Sequence, residues 1–98
     1  MKKLLTIEEV SNVSKMLKVL AHPTRIKIVE FLESGEKKVG DVQNHIKIDQ
    51  PGVSQHLKRM YINGILNKRR EGVCIYYSLN NLMIEGIMRC IRKCEYID

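Results

Sequence analysis

The sequence predicts a mainly α-helical chain with one small β-hairpin, in the order α-α-α-α-β-β-α. Three observations predict it. Apolar residues recur at helical spacing over Ile7–Leu32, again from Val53, and again from Met83. Two short runs of strand-favouring residues flank Glu71-Gly72, a turn signal. Capping residues and glycines punctuate the rest at the places where helices begin and end.

The first helix is expected over about Ile7–Leu20. Thr6 followed by Glu9 has the spacing of a capping box, and Ile7, Val10, Val13, Leu17 and Leu20 keep the helical period. Met16 and Val19 widen that stripe beyond what one small core needs. Pro23 suits the first position of a second helix, because the amide it lacks has no partner there. His22, just before it, reads as a cap. Ile26, Ile28, Val29, Phe31 and Leu32 supply the apolar side, and Ser34-Gly35 ends it. Lys37–Val39 reads as a short extended link. A third helix follows over about Val39–Ile46, carrying His45 at the surface, with a turn at Lys47–Asp49.

Asp49 can cap a fourth helix that has Gln50, Pro51 and Gly52 in its first turn. It continues through Val53, Leu57 and Met60 and ends at Asn63-Gly64. Ile65–Arg70 and Val73–Leu79 are the two strands, and Asn80 or Asn81 then caps a last helix running to about Cys94. The 98 residues fit one domain. With no Trp and a single Phe, its core must rest on Ile, Leu, Val and Met.

The net charge is +6, from 17 Lys and Arg against 11 Asp and Glu, and it is unevenly spread. Residues 49–72 carry five basic and two acidic side chains, whereas 73–98 carry three of each. That concentration suggests a surface that meets a polyanion, and it equally suits a solvated lysine-rich face. No apolar stretch approaches the roughly 18–20 residues that span a bilayer, and Glu8 and Glu9 cut off any signal-like run. The expected location is therefore cytoplasmic, with no membrane partner. Cys74, Cys90 and Cys94 are then expected as thiols. Enzyme chemistry finds no foothold: there is no Gly-rich phosphate loop, Gly-x-Ser-x-Gly or His-Glu-x-x-His.

Two short helices joined by a tight turn can seat the second in the major groove of double-stranded DNA. In the fourth helix Val53, Leu57 and Met60 face inward. Gln50, Ser54, Gln55 and Lys58 then lie on the outer side, with His56 and Arg59 flanking. Gln can pair with adenine, Ser with several base edges, and Lys or Arg with guanine or phosphate. His56 suits either DNA contact or packing within the helix. Lys68, Arg69 and Arg70 put three positive charges beside a β-turn, where a projecting strand pair can rest on phosphate.

These stretches resemble a known family. Leu17-Lys-Val-Leu-Ala-His-Pro-Thr-Arg-Ile-Lys-Ile-Val29 is similar to the opening of ArsR/SmtB-type winged helix-turn-helix regulators. Val39-Gly-Asp-Val42 and Gln50-Pro-Gly-Val-Ser-Gln-His-Leu57 resemble that family's helix-turn-helix. Gly64-Ile-Leu, Arg69-Arg-Glu-Gly72 and Tyr76-Tyr-Ser-Leu79 resemble its wing. The resemblance implies a homodimer built on the first and last helices, about 7–20 and 81–94. It also implies repression of a near-palindromic operator, relieved by an inducer that is often a metal ion or a thiol-reactive species.

The last helix points to a dimer without the resemblance. Met83, Ile87, Cys90 and Cys94 form one stripe and Ile84, Met88 and Ile91 another, an apolar arc wider than one small core needs. Cys90 and Cys94 stand four apart on one helical face. They could bind a thiophilic metal ion or undergo thiol oxidation, and they could equally pack as small hydrophobes. Two thiolates do not complete a zinc site, so further ligands would have to come from the partner or the tail. Cys74 reads as structural. The family's Cys-Val-Cys-Asp motif would fall at Lys38-Val-Gly-Asp41, without either cysteine. The Asp and His ligands it often carries on the last helix would fall near Asn81, Met83, Cys94 and Ile97. Two other readings stay open: a winged-helix protein-interaction module, and an architectural binder indifferent to sequence.

Overall fold

The computed structural model describes residues 2–47 and 52–94. The chain runs α1 (Ile7–Leu20), α2 (Pro23–Leu32), β1 (Lys37–Lys38), α3 (Val39–His45), α4 (Val53–Ile62), β2 (Leu66–Glu71), β3 (Cys74–Leu79) and α5 (Leu82–Arg92). The sequence-predicted order holds, with one addition. The Lys37–Val39 link contributes a strand, which pairs antiparallel with β3 through Lys37–Tyr77 and Lys38–Tyr76. The sheet therefore has three strands in the order β1-β3-β2.

Helix starts follow local chemistry. The Thr6 hydroxyl accepts from the Glu9 amide (3.1 Å) while the Glu9 carboxylate accepts from the Thr6 amide (2.8 Å), a closed capping box. The His22 ring accepts from the Thr24 amide (3.2 Å), and the Asn81 side chain accepts from the Met83 amide (2.8 Å). The expected cap at Asp49, with Gln50 and Pro51, lies outside the described residues. Gly52 is the residue that precedes α4.

The end of α4 fixes how the wing leaves it. Gly64 has φ +79°, its amide bonds the Tyr61 carbonyl (3.1 Å), and the Ile65 amide bonds the Met60 carbonyl (3.0 Å). Met60 and Ile65, both fully buried, meet across this stop. β2 and β3 then pair from Leu66–Leu79 to Glu71–Cys74. Gly72 (φ +62°) and Val73 make the two-residue turn; a left-handed first position favours glycine.

The core lies where α2, α3, α4 and α5 meet the sheet. Ile28, Val29, Val42, Val53, Leu57, Met60, Ile65 and Ile84 are wholly buried. Burying each large aliphatic side chain contributes about 1.5–3 kcal/mol, so these positions hold α4 rigidly on one face. The expected stripe of α1 does not join them. Of Ile7, Val10, Val13, Leu17 and Leu20, only Leu20 is buried, while Ile7 remains 86% and Leu17 44% exposed. Among the described residues, the core meets only the end of α1, through Met16, Val19 and Leu20. In α5, Ile84 and Met88 point into the core and Met83, Ile87 and Ile91 are half-buried beside them. Arg92 ties that helix to Glu33 after α2, with Nη1 3.0 Å from Oε2 and Nη2 donating to Oε1.

Candidate nucleic-acid interface

One face of α4 is locked and the other is bare. Val53, Leu57 and Met60 are fully buried, whereas Ser54, Gln55, Lys58 and Arg59 are exposed. The four exposed side chains are those expected to read or grip DNA, and the structure brings them onto one surface. Gln50, expected with them, lies outside the described residues.

His56, for which DNA contact and packing were both open, packs: it is 8% exposed and belongs to the inner side of α4, which corrects its place among the DNA-contacting residues. Its Nδ1 accepts from Arg25 Nε at 3.1 Å, and its ring lies 4.6 Å from that of His22. The spacing could have shown this: Val53, His56, Leu57 and Met60 stand at i, i+3, i+4 and i+7, the pattern of a buried helical stripe.

Arg25 is the residue that sequence reasoning missed. From α2 its guanidinium reaches the Val19 carbonyl at the end of α1 (2.9 Å) as well as His56 of α4. Burial and then the nearby Arg59 charge lower its pKa from the ordinary arginine value. No sequence pattern signals a contact across 31 residues.

The wing divides its three cations. Arg69 donates to both oxygens of Glu36 (Nε to Oε2 2.9 Å, Nη2 to Oε1 2.6 Å) and to Glu71 (2.7 Å), and it lies 4.4 Å over the Tyr76 ring. The hydrogen bonds from Arg69 hold the Glu36 carboxyl below its usual range, and those to Glu36 and Glu71 push the arginine above its own. Arg69, expected on phosphate, is thus paired with two carboxylates in the chain without DNA. Lys68 and Arg70, on the opposite side of the strand, pair with no carboxylate among the described residues. Lys68 sits 4.5 Å over the Tyr61 ring of α4, and Arg70 Nε donates to the Gly72 carbonyl at 3.1 Å.

Cys90 is exposed and Cys94 half-buried at the far end of α5, and Cys74 is half-buried in β3. Among the described residues no three His, Cys, Asp or Glu side chains gather to hold a metal ion. The two α5 thiols alone fall short of the four ligands zinc takes. No helix of the described residues is long and apolar enough to cross a membrane.

The family model described as "Bacterial regulatory protein, arsR family" matches residues 22–68, which run from the His22 cap to Lys68 of the wing. The chain is 39% identical over 83 residues to the transcriptional repressor PagR of Bacillus anthracis, covering 84% of this chain and 83% of that protein. It is 33% identical over 72 residues to the transcriptional repressor SdpR of Bacillus subtilis, covering 74% of this chain and 80% of that one. The crystal structure of PagR superposes with a TM-score of 0.78 at 36% identity, covering 88% of this chain and 99% of that structure.

Proposed function

Because this chain belongs to the arsR family of bacterial regulatory proteins, we propose that it is a dimeric repressor that binds a near-palindromic DNA operator. The observation that carries this reading is the two-sided α4. Its inner stripe is fixed in the core, and its outer face presents Ser54, Gln55, Lys58 and Arg59 together. A rigid helix with such a face can enter the major groove; Ser54, Gln55 and Lys58 meet base edges while Arg59 takes phosphate. Gln50 completes the base-reading set. Lys68 and Arg70 extend the grip along the backbone from the wing.

The apolar residues left bare on α1, with Met83 and Ile87 on α5, support the dimer. A soluble chain that leaves Ile7, Val10 and Leu17 in water gains by covering them with a second copy. A two-fold pair would set two copies of α4 about 34–36 Å apart, one DNA turn. The family is one of transcriptional regulators, and no catalytic role belongs to this reading. The place of action is the cytoplasm. The release signal in this reading is oxidation of the α5 thiols, with Cys90 the more accessible.

The test is a titration of the reduced protein against duplex from the region upstream of its own gene, beside a random duplex, at several salt concentrations. Salt-dependent binding that prefers the upstream duplex, and a preference altered by Ser54→Ala or Gln55→Ala, is the expected result. Equal affinity for both duplexes would leave an architectural binder. Absence of binding to any duplex would leave a protein-interaction module.

A further inference from the structure

An open groove of about 720 Å³ runs between α2 and the flank of α4. Arg25, Lys58 and Arg59 line it together with Gln55 and Asn63, and no carboxylate among the described residues does. The Arg25 guanidinium is held there by two bonds of its own, Nη1 to the Val19 carbonyl and Nε to His56, and Nη2 makes none among the described residues.

We propose that this groove binds a phosphate group of the DNA backbone, with Arg25 as the contact that α2 adds to the reading helix. The inference rests on the reading of the chain as a DNA-binding repressor. Three physical points carry it. Two guanidinium groups and an ammonium share one concavity, and an anion there relieves their mutual repulsion. The lowered pKa of Arg25, from burial and then the Arg59 charge, fits a cation held without a facing counter-charge. Arg25 is also preorganised: its two internal bonds fix the guanidinium before any ligand arrives, so little side-chain entropy is lost on contact. A planar multi-donor group suits the oxygens of a phosphate. The groove opens beside Gln55 and Lys58, which also belong to the exposed face of α4, so a duplex seated on that face runs its backbone past it.

The experiment measures affinity for a random-sequence duplex across salt concentrations with the parent, Arg25→Gln and Arg59→Gln proteins. Each phosphate contact contributes about 0.9 to the slope of log K against log salt. Arg25→Gln is expected to flatten the slope by about that amount and to weaken random and upstream duplexes by the same factor. A folded Arg25→Gln that keeps the parent's slope overturns the proposal. Because Arg25 also holds α1 and α4, a second measurement covers a variant that fails to fold. In the parent, the Arg25 Nε–H signal in NMR is expected to shift when random duplex is added, and an unmoved signal in the complex likewise overturns the proposal. A titration with inorganic phosphate alone separates the sources: a signal that moves with inorganic phosphate and not with duplex assigns the groove to a free phosphate and overturns the backbone contact. If the parent itself binds no duplex, it is the reading as a DNA-binding repressor that fails.

Discussion

The Arg69 guanidinium straddles the Glu36 carboxylate, binding both of its oxygens from across 33 residues of chain. The wing is thereby anchored to the turn after α2, and one of its three cations is spent inside the molecule. The two that flank it in β2 differ. Lys68 and Arg70 project from the other side of the strand and face no carboxylate among the described residues. Replacing Lys68 and Arg70 together with Ala is expected to flatten the salt slope of duplex binding by about 2, one contact each. Arg69→Ala is expected to leave that slope near the parent's value while freeing the wing, seen as weaker hydrogen-exchange protection of β2. A slope loss of about 1 in Arg69→Ala would mean that Arg69 abandons Glu36 for phosphate.

The same turn carries a pH dependence. The hydrogen bonds from Arg92 hold Glu33 below its usual pKa, and those from Arg69 do the same to Glu36. A carboxyl depressed in the fold stabilises it fully above the unfolded value, about 4.3, and loses that contribution as pH falls through the lower folded value. Denaturant midpoints of the parent should therefore fall as pH drops from about 5 toward 3, and stay level between 6 and 7. Glu33→Gln/Glu36→Gln should begin lower at neutral pH and show a shallower fall in acid. Parallel curves for the two proteins would remove both ion pairs from the account.

What was legible in the sequence was what neighbours in sequence decide. Thr6 and Glu9, or Asn81 and the Met83 amide, meet within one helical turn, so spacing alone predicts the cap. Gly64 announces the end of α4 because the backbone there needs a positive φ. The hairpin was legible but its register was not: the turn expected at Glu71-Gly72 falls one residue later, at Gly72-Val73, so Glu71 pairs with Cys74. What spacing leaves open is decided by contacts across the fold. His56 flanks the reading face and also matches the buried stripe; it packs inward, and its partner Arg25 lies 31 residues away. Arg69 stands in one run with Lys68 and Arg70, and such a run does not reveal which side of a strand each occupies, or that Glu36 faces one of them. The first helix was legible in its stripe but not in what the stripe faces, since a surplus of apolar residues looks alike whether the chain or a second copy covers it.

Leu17 tests that covering. It lies half-exposed on α1 beside Val10 and Leu5, in an apolar hollow that the chain leaves open. Leu17→Glu places a charge where a second copy would bury it and disturbs little of the core, which among the described residues takes Met16, Val19 and Leu20 from α1 but not Leu17. Sedimentation is expected to show a dimer for the parent and a monomer for the variant, with helical circular dichroism per residue largely kept. Affinity for a duplex carrying two half-sites should drop about 10²–10⁴-fold, the scale on which the second site's linkage contributes. A variant that remains dimeric would move the interface away from α1.

The thiols of α5 give the last prediction. Cys90 is exposed in the single chain, on a helix whose other side holds Ile84 and Met88 in the core, so an oxidant reaches it without unfolding the chain whenever the two copies separate. Cys94, four residues on, is half-buried. Oxidation converts a small apolar group into a polar one on the face flanked by Met83 and Ile87, and a packed dimer face tolerates that poorly. The parent is expected to lose duplex affinity on treatment with peroxide and to regain it with a thiol reductant. Cys90→Ser should keep its affinity throughout, whereas Cys74→Ser, altered in the wing strand, should respond as the parent does. A Cys90→Ser/Cys94→Ser protein that still releases DNA under peroxide would place the signal elsewhere than on α5.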